Sequence, residues 1–267
     1  MRRHYAELWL LLLAAFAVFA VSSAFDMPEI GGRKLKSSGI ADALFAARSD
    51  GGASLAAADS LAADTASAAE PDAGPAPCDS LPKTILFIGD SMLEGLGPRM
   101  AAYADHNGHT LYEVMWYSST SEVWGRSDRL AGYIGRIKPD YIFICLGANE
   151  LFVKDIAEKR AKYVDRILAD IGTIPYLWIG PPNWRDDTGI NDLIASRTSR
   201  GSFFLSDGMH FERSKDGAHP TRESAAAWLD SVARWMPRHA KHPILMETPS
   251  EQSSRARRVF VHQPHEK

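Results

Sequence analysis

Five short apolar runs constrain this chain most: TILFIG at 84–89, TLYEVMWY at 110–117, YIFICLG at 141–147, IPYLWIG at 174–180 and SFFLS at 202–206. Most are continuous rather than alternating, the pattern of parallel strands covered on both faces. Between them lie segments of helical character at 92–104, 127–137, 155–171 and 191–197, and a last one at 221–235. In that last segment Ala225, Trp228, Leu229, Val232, Trp235 and Met236 recur at helical spacing. Strand and helix alternate throughout, which predicts a three-layer α/β/α domain over 81–237 with a five-stranded parallel sheet. Ligands in such folds sit at the carboxyl ends of the strands, so candidate functional residues are sought there.

The flanks differ in character. Arg2 and Arg3 precede an uncharged apolar stretch over 8–25, which marks 1–25 as an export signal, either a cleaved signal peptide or a membrane anchor. Ser22, Ser23 and Ala24 suit cleavage, whereas the length of the run suits a span. With the arginines held inside, everything after Phe25 lies outside the cytoplasm, in a periplasm or cell envelope. Residues 26–80 are rich in Ala, Ser, Gly and Pro and are expected to be a linker, and 238–267 a disordered basic tail. The 30 basic and 33 acidic residues give a net charge of -3 with no basic face, which argues against nucleic acid as a partner. Cys78 and Cys145 are expected to stay unpaired, and neither falls in a cluster with metal-ligand spacing, so no zinc site is expected.

The first strand ends in Gly89-Asp90-Ser91. A serine at a strand-to-helix turn is either a nucleophile facing the helix's amide donors or simply a helix cap. The third strand ends in Gly147-Ala-Asn149, and an Asn amide can donate to an oxyanion where a carboxylate cannot. Two Asp-x-x-His pairs compete to supply a base. Asp216 and His219 are followed by Pro220 and Thr221 at the mouth of a helix, which stiffens the turn and mounts the imidazole. Asp207 and His210 lack such a mount, and His210 is expected on an exposed loop or at the pocket edge.

Gly-Asp-Ser, Gly-x-Asn and Asp-x-x-His-Pro, in this order and at strand ends, resemble the SGNH (GDSL-type) hydrolase superfamily over residues 83–236. The resemblance implies a flavodoxin-like sheet and no cofactor. It further implies Ser91 as nucleophile, His219 as base, Asp216 as its orienting acid, and the Ser91 amide with Asn149 as oxyanion donors. The family's third oxyanion donor is usually a Gly after the second strand. Here YSSTSEVWGR has none before Gly125, and Ser121 is taken as the match, with Ser119 as the alternative. Glu150 stands where Asp commonly follows the Asn. The expected activity is acyl or acetyl ester hydrolysis on an acylated carbohydrate of the envelope. The alternatives are O-acetyl transfer, beside a membrane-bound O-acyltransferase, and a non-catalytic carbohydrate-binding domain. Trp116, Tyr117, Trp124 and Trp184 are candidates to stack on sugar rings or to pack inside the domain.

Overall fold

The structure, a computed structural model, describes residues 77–264 and the backbone of 29–30 and 33–34. The chain divides into two units, Met1–Ala69 and Glu70–Lys267. In the first, Glu29–Ile30 and Arg33–Lys34 pair as a two-stranded antiparallel ribbon. The apolar run at 8–25 and most of the expected linker lie outside the described residues. Among the described residues no helix is long and apolar enough to cross a membrane.

The second unit is a three-layer α/β/α domain. Its elements are β1 (Thr84–Gly89), α1 (Leu93–His106), β2 (Thr110–Trp116), α2 (Ser121–Arg126), α3 (Arg129–Ile137), β3 (Tyr141–Cys145), α4 (Ile156–Ile171), β4 (Tyr176–Ile179), α5 (Ile190–Arg197), β5 (Phe203–Phe204), α6 (Arg222–His239) and β6 (Arg257–His262). All sheet pairings are parallel, in the order β5-β4-β3-β1-β2-β6. The central strands are buried on both faces, β3 along its whole length, which accounts for their unbroken apolar runs. One core packs Phe87, Phe143 and Leu177 against α1 and α6 through Leu96, Met100, Trp228 and Val232. The other packs Ile88, Ile144 and Trp178 against α2 to α5 through Trp124, Val164, Ile167 and Ile194.

Two features depart from expectation. The sheet has six strands, not five, because part of the expected loose tail forms β6. Leu111 to Trp116 of β2 pair in register with Arg257 to His262. In this edge strand Phe260 packs on Tyr133 at 5.2 Å while Val259 and Val261 remain exposed. The connection from α6 is also secured: Leu245 N-H donates to the Asp79 carbonyl at 2.9 Å, and His109 Nε2 bonds the Leu245 carbonyl at 2.8 Å. The second departure is α2, a six-residue helix capped by Thr120, whose Oγ1 accepts from Val123 N-H at 3.3 Å. Cys78 and Cys145 are both free, the first exposed and the second buried.

Candidate active site

At the end of β1 the chain turns sharply into α1. Asp90 is wholly buried there, and its Oδ1 accepts from Met92 N-H at 2.9 Å, which shapes the turn and leaves Ser91 at its tip. Burial pushes the Asp90 carboxyl up to about 7; the Met92 amide and His219 oppose this, and Glu150 adds to it. Among the described residues no acceptor takes the Ser91 N-H.

The segment from Glu212 to Thr221 folds as a tight loop that presents His219. Ser214 N-H donates to the His219 carbonyl at 2.8 Å, and Thr221 N-H to the Glu212 carbonyl at 2.8 Å. Arg213 fastens the loop to its neighbour through the Ala218, Pro182 and Asn183 carbonyls. Thr221 caps α6 through a 3.2 Å bond from Ser224 N-H. Asp216 Oδ1 accepts from the Ala218 and His219 amides at 2.9 and 3.0 Å, while Oδ2 meets His219 Nδ1 at 2.8 Å. The His219 amide first, then the Ala218 amide and the imidazole, hold the Asp216 carboxyl down to about 2. With Nδ1 donating to an ionised carboxylate, Nε2 is the accepting nitrogen, and it lies 2.8 Å from Ser91 Oγ. Serine, imidazole and carboxylate thus form one continuous relay that can move a proton off the hydroxyl.

The other pair is not brought in. Asp207 and His210 are exposed, and Asp207 Oδ1 accepts from Asn183 Nδ2 at 3.1 Å and from the Gly208 amide at 3.0 Å rather than orienting His210.

Asn149 follows β3 in a turn held by Trp184, whose Nε1 donates to the Ala148 carbonyl at 2.9 Å. Gly147 has φ +124, and a Cβ there would press on Pro181 at 3.1 Å, so the turn requires glycine. Asn149 Nδ2 donates to the Ser119 carbonyl at 2.9 Å; its other neighbour, Asp90 Oδ2, is 3.5 Å away, too far for a good hydrogen bond. One amide hydrogen is therefore left for a ligand.

Ser121, the expected third donor, does not offer its amide to the site. It is the first residue of α2, and its N-H and Oγ are both bonded to the buried Glu150 carboxylate, at 2.7 and 2.8 Å. Ser119 is engaged too, since its N-H donates to the Trp116 carbonyl at 3.1 Å. In this loop the amides of Ser118 and Thr120 meet no acceptor among the described residues, and of the two Ser118 faces the cleft. Its φ is +54, a left-handed conformation that favours glycine, and it lines the same cleft as Ser91 and His219. No local signal separates Ser118 from Ser121: Thr120 marks the start of α2, but the first amides of a helix have no partner within it, and it is Glu150 that takes the Ser121 N-H.

Glu150, which departs from the commoner Asp, accepts from Ser121 and from Arg160 Nε at 2.8 Å and so ties the loops after β2 and β3 to α4. Burial raises its pKa, and the Ser121 and Arg160 donors oppose this. Of the four aromatic candidates, Trp116 and Trp124 are buried and pack edge-on against each other at 5.5 Å, which removes them as sugar platforms. Tyr117 and Trp184 are partly buried.

The cleft holding Ser91 and His219 has a volume of about 650 Å³ and meets a second, larger cavity at Tyr117 and Ser118. No protein-family model matches the sequence, and no curated protein matches it. Among solved structures the chain is similar to esterase EstA from Pseudoalteromonas sp., a form inhibited by monoethylphosphonate, at 19% identity over 57% of this chain and 97% of the other, with a TM-score of 0.41. It is also similar to a protein from Desulfitobacterium hafniense DCB-2 described as lipolytic and of the G-D-S-L family, at 15% identity over 57% and 98% of the two chains, with a TM-score of 0.42.

Proposed function

We propose that the chain is a serine-dependent ester hydrolase that works through an acyl-enzyme at Ser91, as the motif resemblance to SGNH hydrolases implies. The observation that carries this reading is the unbroken relay from Ser91 Oγ through His219 to Asp216, with 2.8 Å at each step. His219 Nε2 takes the hydroxyl proton as Oγ attacks the ester carbonyl. The oxyanion that develops is met by the Ser91 and Ser118 amides and the remaining Nδ2 hydrogen of Asn149. As the tetrahedral species collapses, the C-O bond to the alcohol breaks and His219 returns its proton to the departing oxygen. Water then enters, gives a proton to His219 and releases the acid, restoring Ser91.

The substrate proposed is an O-acetylated polysaccharide outside the cytoplasm. This rests on the apolar run at 8–25, read as an export signal or anchor.

The test is the full chain given p-nitrophenyl acetate, with and without an oligosaccharide acceptor. Ester hydrolysis requires Ser91-dependent release to water that sugar leaves unchanged. Release accelerated by sugar, with acetylated sugar as product, would mean a transferase instead. Ser91→Ala and His219→Ala should each lose about 10³-fold or more in kcat, and His210→Ala should stay near the parent rate. Loss in His210→Ala with full activity in His219→Ala would reverse the assignment of the base.

A further inference from the structure

The two loops that carry the oxyanion donors are braced against each other by side chains outside the cleft. Asn149 Nδ2 donates to the Ser119 carbonyl at 2.9 Å, and the next residue, Glu150, takes the Ser121 N-H at 2.7 Å and the Ser121 hydroxyl at 2.8 Å. Ser118 lies just before this brace, and the Ser119 N-H is fixed in turn to the Trp116 carbonyl at 3.1 Å. The left-handed backbone of Ser118, φ +54, is strained for a serine and persists only where the surroundings over-determine it. In that conformation its amide is left without an acceptor among the described residues, in the cleft that Ser91 also lines.

The brace depends on a charge held out of water. Glu150 is 0% exposed, and a buried carboxylate stays ionised only where it is paired and well bonded. Arg160 of α4 supplies the pairing: its Nε donates to Glu150 Oε1 at 2.8 Å, and its Nη1 lies 2.8 Å from Glu122 Oε2 of α2. One guanidinium therefore holds both the residue after Asn149 and the helix that begins at Ser121. A second buried carboxylate, Asp90, lies close enough for Glu150 to raise its pKa, so loss of Arg160 would leave two acids facing each other in a dry site. We propose that Glu150 and Arg160 are positioning residues for ester hydrolysis, which as a bonded pair hold the Ser118 amide and Asn149 Nδ2 at the spacing that one oxyanion requires. This rests on the acyl-transfer reading above and assigns the groups that set its oxyanion site. Length matters as well as charge, because an aspartate at 150 would end one methylene short of Ser121 and Arg160.

The test compares the full chain with its variants on p-nitrophenyl acetate, each shown to be folded by urea unfolding. Glu150→Gln keeps the shape but leaves one accepting oxygen for the Ser121 N-H, the Ser121 hydroxyl and Arg160 Nε. Glu150→Gln and Arg160→Met should each lower kcat and kcat/KM together by about 10- to 100-fold, with KM within about two-fold, the mark of an interaction made only in the transition state. Arg160→Lys should recover most of that loss, and Glu150→Asp should lose about ten-fold or more although it keeps the charge. A double-mutant cycle with Asn149→Ala separates positioning from general support of the fold. Because Glu150 acts through Asn149 and Ser118, Glu150→Gln should cost at least about three-fold less in the Asn149→Ala background than in the parent. Unchanged kcat in either folded variant, a loss confined to KM, or losses that simply multiply in the cycle overturns the proposal and leaves hydrolysis by Ser91 intact. If Arg160→Met does not fold, Glu150→Gln and the cycle decide, since that variant carries no buried charge to strand. No Ser91-dependent turnover in the parent would refute the hydrolase reading, and the proposal with it.

Discussion

Replacing Ser118 by glycine should make the protein more stable without costing it activity. Ser118 is exposed, its side chain makes no hydrogen bond among the described residues, and its φ is +54. An L-residue in that conformation carries about 1–2 kcal/mol of strain, which glycine relieves. Glycine also frees the unfolded chain, at a cost of about 0.4–1 kcal/mol. The difference is a gain of roughly 0.5–1 kcal/mol, and for a domain of this size about 1–4 °C in Tm. Urea unfolding of the full chain reads it as a higher midpoint at constant slope. Because the backbone N-H is retained, Ser91-dependent ester turnover should stay within about two-fold, well under the 10²-fold that loss of an oxyanion donor costs. An unchanged or lower midpoint would refute the strain argument. A ten-fold or greater loss of turnover would mean that the Ser118 hydroxyl, rather than its amide alone, takes part.

Two helix glycines should respond in opposite directions. A Cβ on Gly125 of α2 would lie 2.8 Å from the Tyr163 Cα, Cβ and carbonyl oxygen of α4, an overlap that backbone motion alone can relieve. Gly125→Ala should therefore lose about 1–2 kcal/mol despite alanine's better helix propensity, whereas Gly132→Ala in α3, exposed and with no neighbour within 4 Å, should gain up to about 1 kcal/mol. Equal responses in denaturant titrations would refute the close approach of α2 to α4. The buried carboxyls set the pH response. Burial lifts Asp90 and Glu113 to about 7, so between about pH 4 and 7 the folded state holds protons that the unfolded state has released, and stability falls as pH rises through that window. Asp216, held at about 2, acts in the opposite sense and loses its contribution only as pH falls from about 4 toward 2. Unfolding free energy should be higher at pH 5 than at pH 8, with a smaller difference in Glu113→Gln; a rise from pH 5 to 8 in the parent would contradict the buried-acid picture.

What the sequence determined about this protein is what neighbouring residues decide among themselves. The apolar runs of β1, β3 and β4 read as strands because a short strand buried on both faces takes four or five successive apolar side chains. Asp216 and His219 were legible as a mounted pair because the turn, Pro220 and the Thr221 cap lie within six residues of one another. The same locality separated them from Asp207 and His210, which have no such frame.

The tertiary structure alone decided the rest, in each case because the deciding partner is remote in sequence. Whether the Ser118 or the Ser121 amide faces the cleft depends on backbone angles and on Glu150, about thirty residues away, whose carboxylate claims Ser121. The run RRVFVH, short, half exposed and set in a polar stretch, reads as part of a tail until β2, more than a hundred residues earlier, offers it an open edge in register. The pairing of Glu113 with Arg257 follows from that register and from the bare backbone of Gly97, none of which a local pattern encodes.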